Sequence, residues 1–281
     1  MSMTTAFLGC GSMNEAILAG LLKAGTAPEE VIVTVRRPER AVELDSRYPG
    51  LSAMAVQENP ESNKRATTWA DVVILGVKPA GIADLAREIS SSLAPETVVV
   101  SVAAAVTLTQ LEAALPQGQP VIRALPNTPI KLGRGVVALT PGSHCGPEQL
   151  GQVKGILEGT GTVVEVPEEQ VNAVSAISGS GPAYAYYLAE AMAAAGAELG
   201  LDPELSVLLA RETVAGAGLM LAEPGADASA LRKTMAGPDS ITLRALAVFD
   251  ERGTPGIITE GARATVDRSA EITQQLRAKR P

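Results

Sequence analysis

The chain has 281 residues, enough for two domains or one large one. Hydrophobic residues make up 46% of it and aromatics only 2%, so any core must be built from Ala, Val, Leu and Ile packed closely around the 27 glycines. A formal net charge of -8 excludes a general nucleic-acid binder. No uncharged apolar run approaches the roughly 20 residues needed to span a bilayer, and no basic-then-apolar segment with a cleavage site opens the chain, so a cytoplasmic location with Cys10 and Cys145 reduced is expected. Two cysteines and one histidine, His144, exclude a structural zinc, and no metal is expected.

In chain order, the apolar run Thr5–Leu8 predicts a first strand. It runs into Gly9-Cys10-Gly11-Ser12-Met13, which opens a helix over Met13–Ala24. Gly9 permits a tight turn, Gly11 lets backbone approach a pyrophosphate, and the helix offers free N–H groups to that anion. Asn14 stands where the third glycine of the GxGxxG pattern would be. A second strand, Val31–Val35, ends in Arg36-Arg37. Folds that bind NAD place an acidic residue there for the ribose hydroxyls. Arginine instead forms forked contacts with a 2′-phosphate, so NADPH is the expected cofactor.

A helix is predicted over Pro38–Tyr48, then a strand over Val72–Val77 that leads into Lys78-Pro79. A helix over Ile82–Leu93 and a strand over Val98–Val102 follow. Ala103 and Ala104 beyond that strand are small enough to leave room for a flat nicotinamide ring. Strands over Val121–Leu125 and Val136–Leu139 complete this half. Alternating strands and helices imply a mostly parallel sheet.

After about Val166 the pattern becomes helical: Glu168–Ser178, Pro182–Leu199, Pro203–Ala222, Ala228–Met235, Ser240–Arg252 and Pro255–Arg277. Asp202 before Pro203 is a helix N-cap. Gly196, Gly200, Gly216 and Gly218 suggest close helix approaches, and Tyr184, Tyr186 and Tyr187 core or interface packing. His144 sits in a turn-forming segment. The expected fold is α/β: a Rossmann-type NADP-binding domain over 1–164 and an all-α domain over 165–281.

Five motifs occur in order: Gly9-x-Gly11-x-Met13, Val77-Lys78-Pro79, Ala124-Leu125-Pro126-Asn127-Thr128-Pro129, Ser178-Gly179-Ser180-Gly181-Pro182-Ala183-Tyr184, and Thr242 in a Pro-x-x-x-Thr helix start. On these the chain resembles the pyrroline-5-carboxylate reductases along essentially its whole length. The resemblance implies a C-terminal dimerisation domain that interlocks with a partner subunit, hence a homodimer or larger homo-oligomer, and a small imino acid as substrate. It further implies that Gly9–Met13 hold the pyrophosphate, that Arg36 meets the 2′-phosphate, and that Asn63 contacts the adenosine ribose. Val77, Lys78, Pro79, Ala103 and Ala104 would line the nicotinamide side. Backbone N–H groups of Ser240, Ile241, Thr242 and Leu243 would hold the substrate carboxylate, and Thr242, the catalytic position, would contact the ring nitrogen.

The family reads Ser-Pro-Gly-Gly-x-Thr in that last loop, and this chain reads Gly237-Pro238-Asp239-Ser240-Ile241-Thr242. Asp239 would either repel a substrate carboxylate or cap the helix that follows. The departure keeps open a reductase for another cyclic imine or a keto acid on the same scaffold. A non-catalytic NADPH-binding regulator is the further alternative.

Overall fold

The computed structural model describes residues 3–235 and 240–278. The chain forms two compact units: the residues up to Gly179 together with those from Val266 onward, and Ser180–Thr265.

The first unit is built on eight strands: β1 (Thr5–Leu8), β2 (Val31–Val35), β3 (Ser52–Ala55), β4 (Val72–Leu75), β5 (Val98–Ser101), β6 (Val121–Pro126), β7 (Gly135–Pro141) and β8 (Gly161–Glu165). Their order is β3-β2-β1-β4-β5-β6-β7-β8. Every neighbouring pair is parallel except β6 and β7. The first six strands thus follow the doubly wound dinucleotide-binding order.

Helices α1 (Ser12–Lys23), α2 (Pro38–Arg47), α3 (Ser62–Thr67), α4 (Ile82–Ile89), α5 (Leu108–Glu112) and α6 (Pro147–Leu157) cover the sheet. Successive strand residues point to opposite faces, so each central strand feeds two cores. Phe7, Val72, Ile74, Val98 and Val100 pack with Ile17, Leu44 and Ile156 on one face. Ala6, Leu8, Val73, Leu75 and Val99 pack with Ala66, Leu85 and Leu111 on the other. Burial on both faces is why these strands read as unbroken apolar runs.

Beyond β8 the predicted helix over Glu168–Ser178 is replaced by three short pieces. A single turn over Glu168–Gln170 is followed by α7 (Val171–Val174) and a π-helical turn over Ser175–Gly179. Ser178 and Gly179 are weak helix formers, and Pro182 just beyond has no N–H to continue a ladder.

The second unit opens with a hairpin of α8 (Gly181–Glu198) and α9 (Pro203–Leu221). Gly200, at φ 93°, makes the turn. The Asp202 side chain accepts from the N–H groups of Glu204 and Leu205, at 2.9 and 3.1 Å. Then come α10 (Ala228–Met235), α11 (Ile241–Glu251) and α12 (Thr254–Ala278), whose later residues belong to the first unit.

Of the glycines expected at close helix approaches, Gly196 fits: a Cβ there would lie 2.9 Å from Ser206 Oγ. Among the described residues, nothing beyond their own helix backbone lies within 4 Å of a Cβ built on Gly216 or Gly218. Gly200 serves its turn instead. Among the described residues α8, α10, α11 and α12 hold no buried residue, and Tyr187 is 73% exposed. Among the described residues no helix is long and apolar enough to cross a membrane.

Candidate functional site

A cleft of about 670 Å³ opens at the carboxyl ends of the parallel strands. Its wall contains every cofactor position read from the sequence except one: Gly9, Cys10, Gly11, Ser12, Met13, Arg36, Val77, Lys78, Pro79, Ala103 and Ala104. Val35, Arg37, Arg40, Gly76 and Val102 join them.

Gly9 takes φ 73°, and a Cβ on it would stand 2.6 Å from Val77 Cγ1, so only glycine fits. A Cβ on Gly11 would meet nothing within 4 Å; this is where the cleft reaches the backbone. No side chain caps α1. Its first-turn N–H groups and dipole end are therefore left to an anion. The turn is braced from β2: Cys10 N–H donates to the Thr34 carbonyl at 2.8 Å and Gly9 N–H to Thr34 Oγ1 at 3.3 Å.

Asn14, in place of the third glycine, is buried, and its Nδ2 lies 3.5 Å from the Ile74 carbonyl. A Cβ on Gly76 would come within 2.2 Å of Asn14 Nδ2. The space a glycine usually leaves on α1 is here left by Gly76 on the facing strand end.

The wall carries Arg36, Arg37, Arg40 and Lys78 and, among the described residues, no carboxylate. On a chain of net charge -8 this is a local inversion of sign. Arg36 and Arg37 are exposed and in no ion pair among the described residues. Arg40, one helical turn on from Arg36, is instead held by Glu15 and Glu43. Glu15 also takes Arg47 and, at 3.5 Å, the Tyr48 hydroxyl. Arg40 escaped the sequence reading, because it lies inside α2 and no local signal marks that turn of the helix as reaching the cleft. Burial, and next the Glu15 carboxylate, push the Cys10 thiol up to about 12, so it is no nucleophile at neutral pH.

Asn63 is not brought to the wall. It is buried, its Oδ1 accepts from Thr34 Oγ1 at 2.7 Å, and its Nδ2 donates to Glu88 at 3.0 Å. It lies behind the bracing threonine. His144 is exposed in the connection between β7 and α6.

Ser240, Ile241, Thr242 and Leu243 lie in the second unit, at the start of α11. Ser240 is itself the N-cap: its Oγ accepts from Thr242 N–H at 3.1 Å, and its carbonyl from Leu243 N–H at 3.1 Å. These bonds engage two of the N–H groups expected to hold a carboxylate; the cap expected of Asp239 falls on a residue that is not described. Gly237, Pro238 and Asp239 lie outside the described residues.

Residues 168–272 match the family model described as pyrroline-5-carboxylate reductase dimerisation, and residues 4–105 the one described as NADP oxidoreductase, coenzyme F420-dependent. The chain is 38% identical to the pyrroline-5-carboxylate reductase of Corynebacterium melassecola, over 96% of this chain and 98% of that relative. It is 34% identical to the enzyme of that name from Mycobacterium tuberculosis, over 95% and 96%. A solved structure of a pyrroline-5-carboxylate reductase from Coxiella burnetii superimposes with a TM-score of 0.89 at 29% identity, covering 96% of this chain and 98% of that one.

Proposed function

Because the chain belongs to the pyrroline-5-carboxylate reductase family, we propose that it reduces the C=N bond of 1-pyrroline-5-carboxylate with NADPH, giving L-proline. The observation that carries this reading is the cleft: a glycine turn at an uncapped helix N-terminus, walled by Arg36, Arg37, Arg40 and Lys78 and by no described carboxylate. NADPH fits what is there, since a pyrophosphate suits the open backbone at Gly11 and a 2′-phosphate suits exposed, unpaired arginines.

When bound, the cofactor supplies the hydride that the imine carbon accepts. The chain's own residues bind and orient. Gly11, Ser12 and Met13 offer N–H groups to the pyrophosphate. Arg36 meets the 2′-phosphate, with Arg37 and Arg40 adding to the local field. Val77, Lys78, Pro79, Ala103 and Ala104 form the wall on the nicotinamide side. In the other unit, the start of α11 meets the substrate carboxylate through the N–H groups of Ser240 and Ile241, those of Thr242 and Leu243 being taken by Ser240, and the Thr242 hydroxyl hydrogen-bonds the ring nitrogen. A protonated imine accepts hydride without a side-chain base, in keeping with a wall that carries, among the described residues, no carboxylate and no histidine.

The functional division is 1–164 for the dinucleotide and 165–281 for substrate and dimerisation, supported by the spans of the two family matches. The working form is a homodimer or larger homo-oligomer, which the apolar surface of the second unit supports. The location is the cytoplasm, supported by two unpaired thiols. Incubation with pyrroline-5-carboxylate and NADPH deuterated at its transferable position tests the chemistry. The reading requires proline carrying deuterium at the former imine carbon, and unlabelled or absent proline contradicts it.

A further inference from the structure

We propose that Asn127 is a positioning residue for the reductase reaction, acting through its carboxamide's hold on the carbonyl of Ser178; this rests on the function proposed above. The sequence already contains the reason such a hold is needed. In a continuous helix the Ser178 carbonyl would accept from the N–H of residue 182, and residue 182 is proline, which has none. The carbonyl is orphaned at the π-helical turn Ser175–Gly179, immediately before the chain leaves the first unit at Gly179. Wide turns of this kind recur at functional sites, and a partly buried carbonyl without a donor is costly.

Asn127 supplies the missing donor. It sits at the end of β6, buried, 51 residues upstream of Ser178. Its Nδ2 donates to the Ser178 carbonyl at 3.1 Å and to Ser178 Oγ at 3.3 Å. Its Oδ1 accepts from Val136 N–H of β7 at 2.8 Å. The two ends of the amide thus meet partners of opposite kind, which fixes its orientation: a donor must face Ser178 and an acceptor must face Val136. One side chain ties the sheet to the point from which α8 departs, and it joins two sequence motifs, Pro126-Asn127-Thr128-Pro129 and Ser178–Tyr184, that are far apart in the chain.

The consequence for the reaction follows from where the assigned residues lie. Nucleotide-binding residues are all on the first unit and imino-acid-binding residues are on the second. Asn127 does not line the nucleotide cleft. Loosening the hold on Ser178 should therefore spare nucleotide affinity and lower kcat.

Asn127→Asp is nearly isosteric and sets an oxygen against the Ser178 carbonyl. We expect kcat with pyrroline-5-carboxylate to fall about tenfold or more, with the NADPH dissociation constant within about twofold of the parent. Asn127→Ala should behave alike, and adding Pro182→Ala, which restores a backbone N–H at residue 182, should recover most of the loss. Hydrogen exchange at the start of α8 should quicken in both Asn127 variants and slow again in the double variant. An unchanged kcat in Asn127→Asp, or NADPH affinity falling in step with kcat, would overturn the positioning role. If the parent protein reduces no pyrroline-5-carboxylate, the functional reading fails by itself, and unchanged exchange at α8 would then separately overturn the hold on Ser178.

Discussion

Arg36 is the residue on which the proposed choice of cofactor turns. It stands at the end of β2, exposed and unpaired, where an acidic side chain would hold a ribose hydroxyl. Arg36→Ala should weaken NADPH binding by about 2 kcal/mol and leave NADH nearly unchanged, as fluorescence titration of both nucleotides would show. Gly9 is set by geometry instead: Gly9→Ala puts a Cβ 2.6 Å from Val77 Cγ1 at φ 73°, and should cost about 2 kcal/mol or more in urea unfolding and abolish nucleotide binding. Cys10 gives a pH signature. Its folded value near 12 lies above the ordinary thiol value of 9.0, so the stability it contributes is complete below pH 9 and is lost as pH rises toward 12. Between pH 8 and 10.5 the unfolding free energy should drop by about 2 kcal/mol through this group, and Cys10→Ala should remove that part of the drop. The glycine turn and Arg36 were legible in the sequence because local conformation and charge are local properties. Arg40 and the exchange of a glycine between Asn14 and Gly76 were not, since the first depends on how α2 packs beside Glu15 of α1 and the second on which strand end faces α1.

The central strands were legible as elements because burial on both faces writes an unbroken apolar run into β1, β2, β4 and β5. The edge strand β3, Ser52-Ala53-Met54-Ala55, has no β-branched residue and only Ala55 buried, so nothing local marks it. The other edge, β8, was missed as well, although Thr162-Val163-Val164 is a β-branched triplet that could have marked it. The broken helix after β8 hides for a different reason: its path is set by long-range partners. Glu168 accepts from Arg123 of β6 at 3.0 Å and from Leu108 N–H at 3.2 Å, and Arg123 is almost wholly buried. Burial lowers the Arg123 pKa, opposed by Glu168. Glu168→Ala would strand that guanidinium, and calorimetry should register a loss of about 2 kcal/mol, discounted because Glu168 is one-third exposed. Asp202→Ala, which removes only the cap of α9, should cost about 1 kcal/mol.

At the scale of the whole molecule, two halves of different construction are joined. One buries its strands on both faces; the other presents Tyr186, Tyr187, Val207, Leu208, Phe249 and Ile258 to its surroundings. That much apolar surface marks an association face, so light scattering at micromolar concentration should find more than one chain per particle. The change from strands to helices was legible near Val166, whereas the passage between units at Gly179 and the return of α12 to the first unit were not. Thr273 Oγ1 donates to the Ala105 carbonyl at 3.1 Å and Ser269 Oγ to Asn172 at 2.9 Å, contacts that no periodicity announces. Over Gly237–Thr242 the sequence departs from its family's pattern, which leaves the choice of imine as the point to test. The most direct test of the account is therefore kcat/KM for a panel of cyclic imines with NADPH and with NADH. The account predicts pyrroline-5-carboxylate with NADPH as the preferred pair; preference for a six-membered imino acid, or equal rates with both nucleotides, would contradict it.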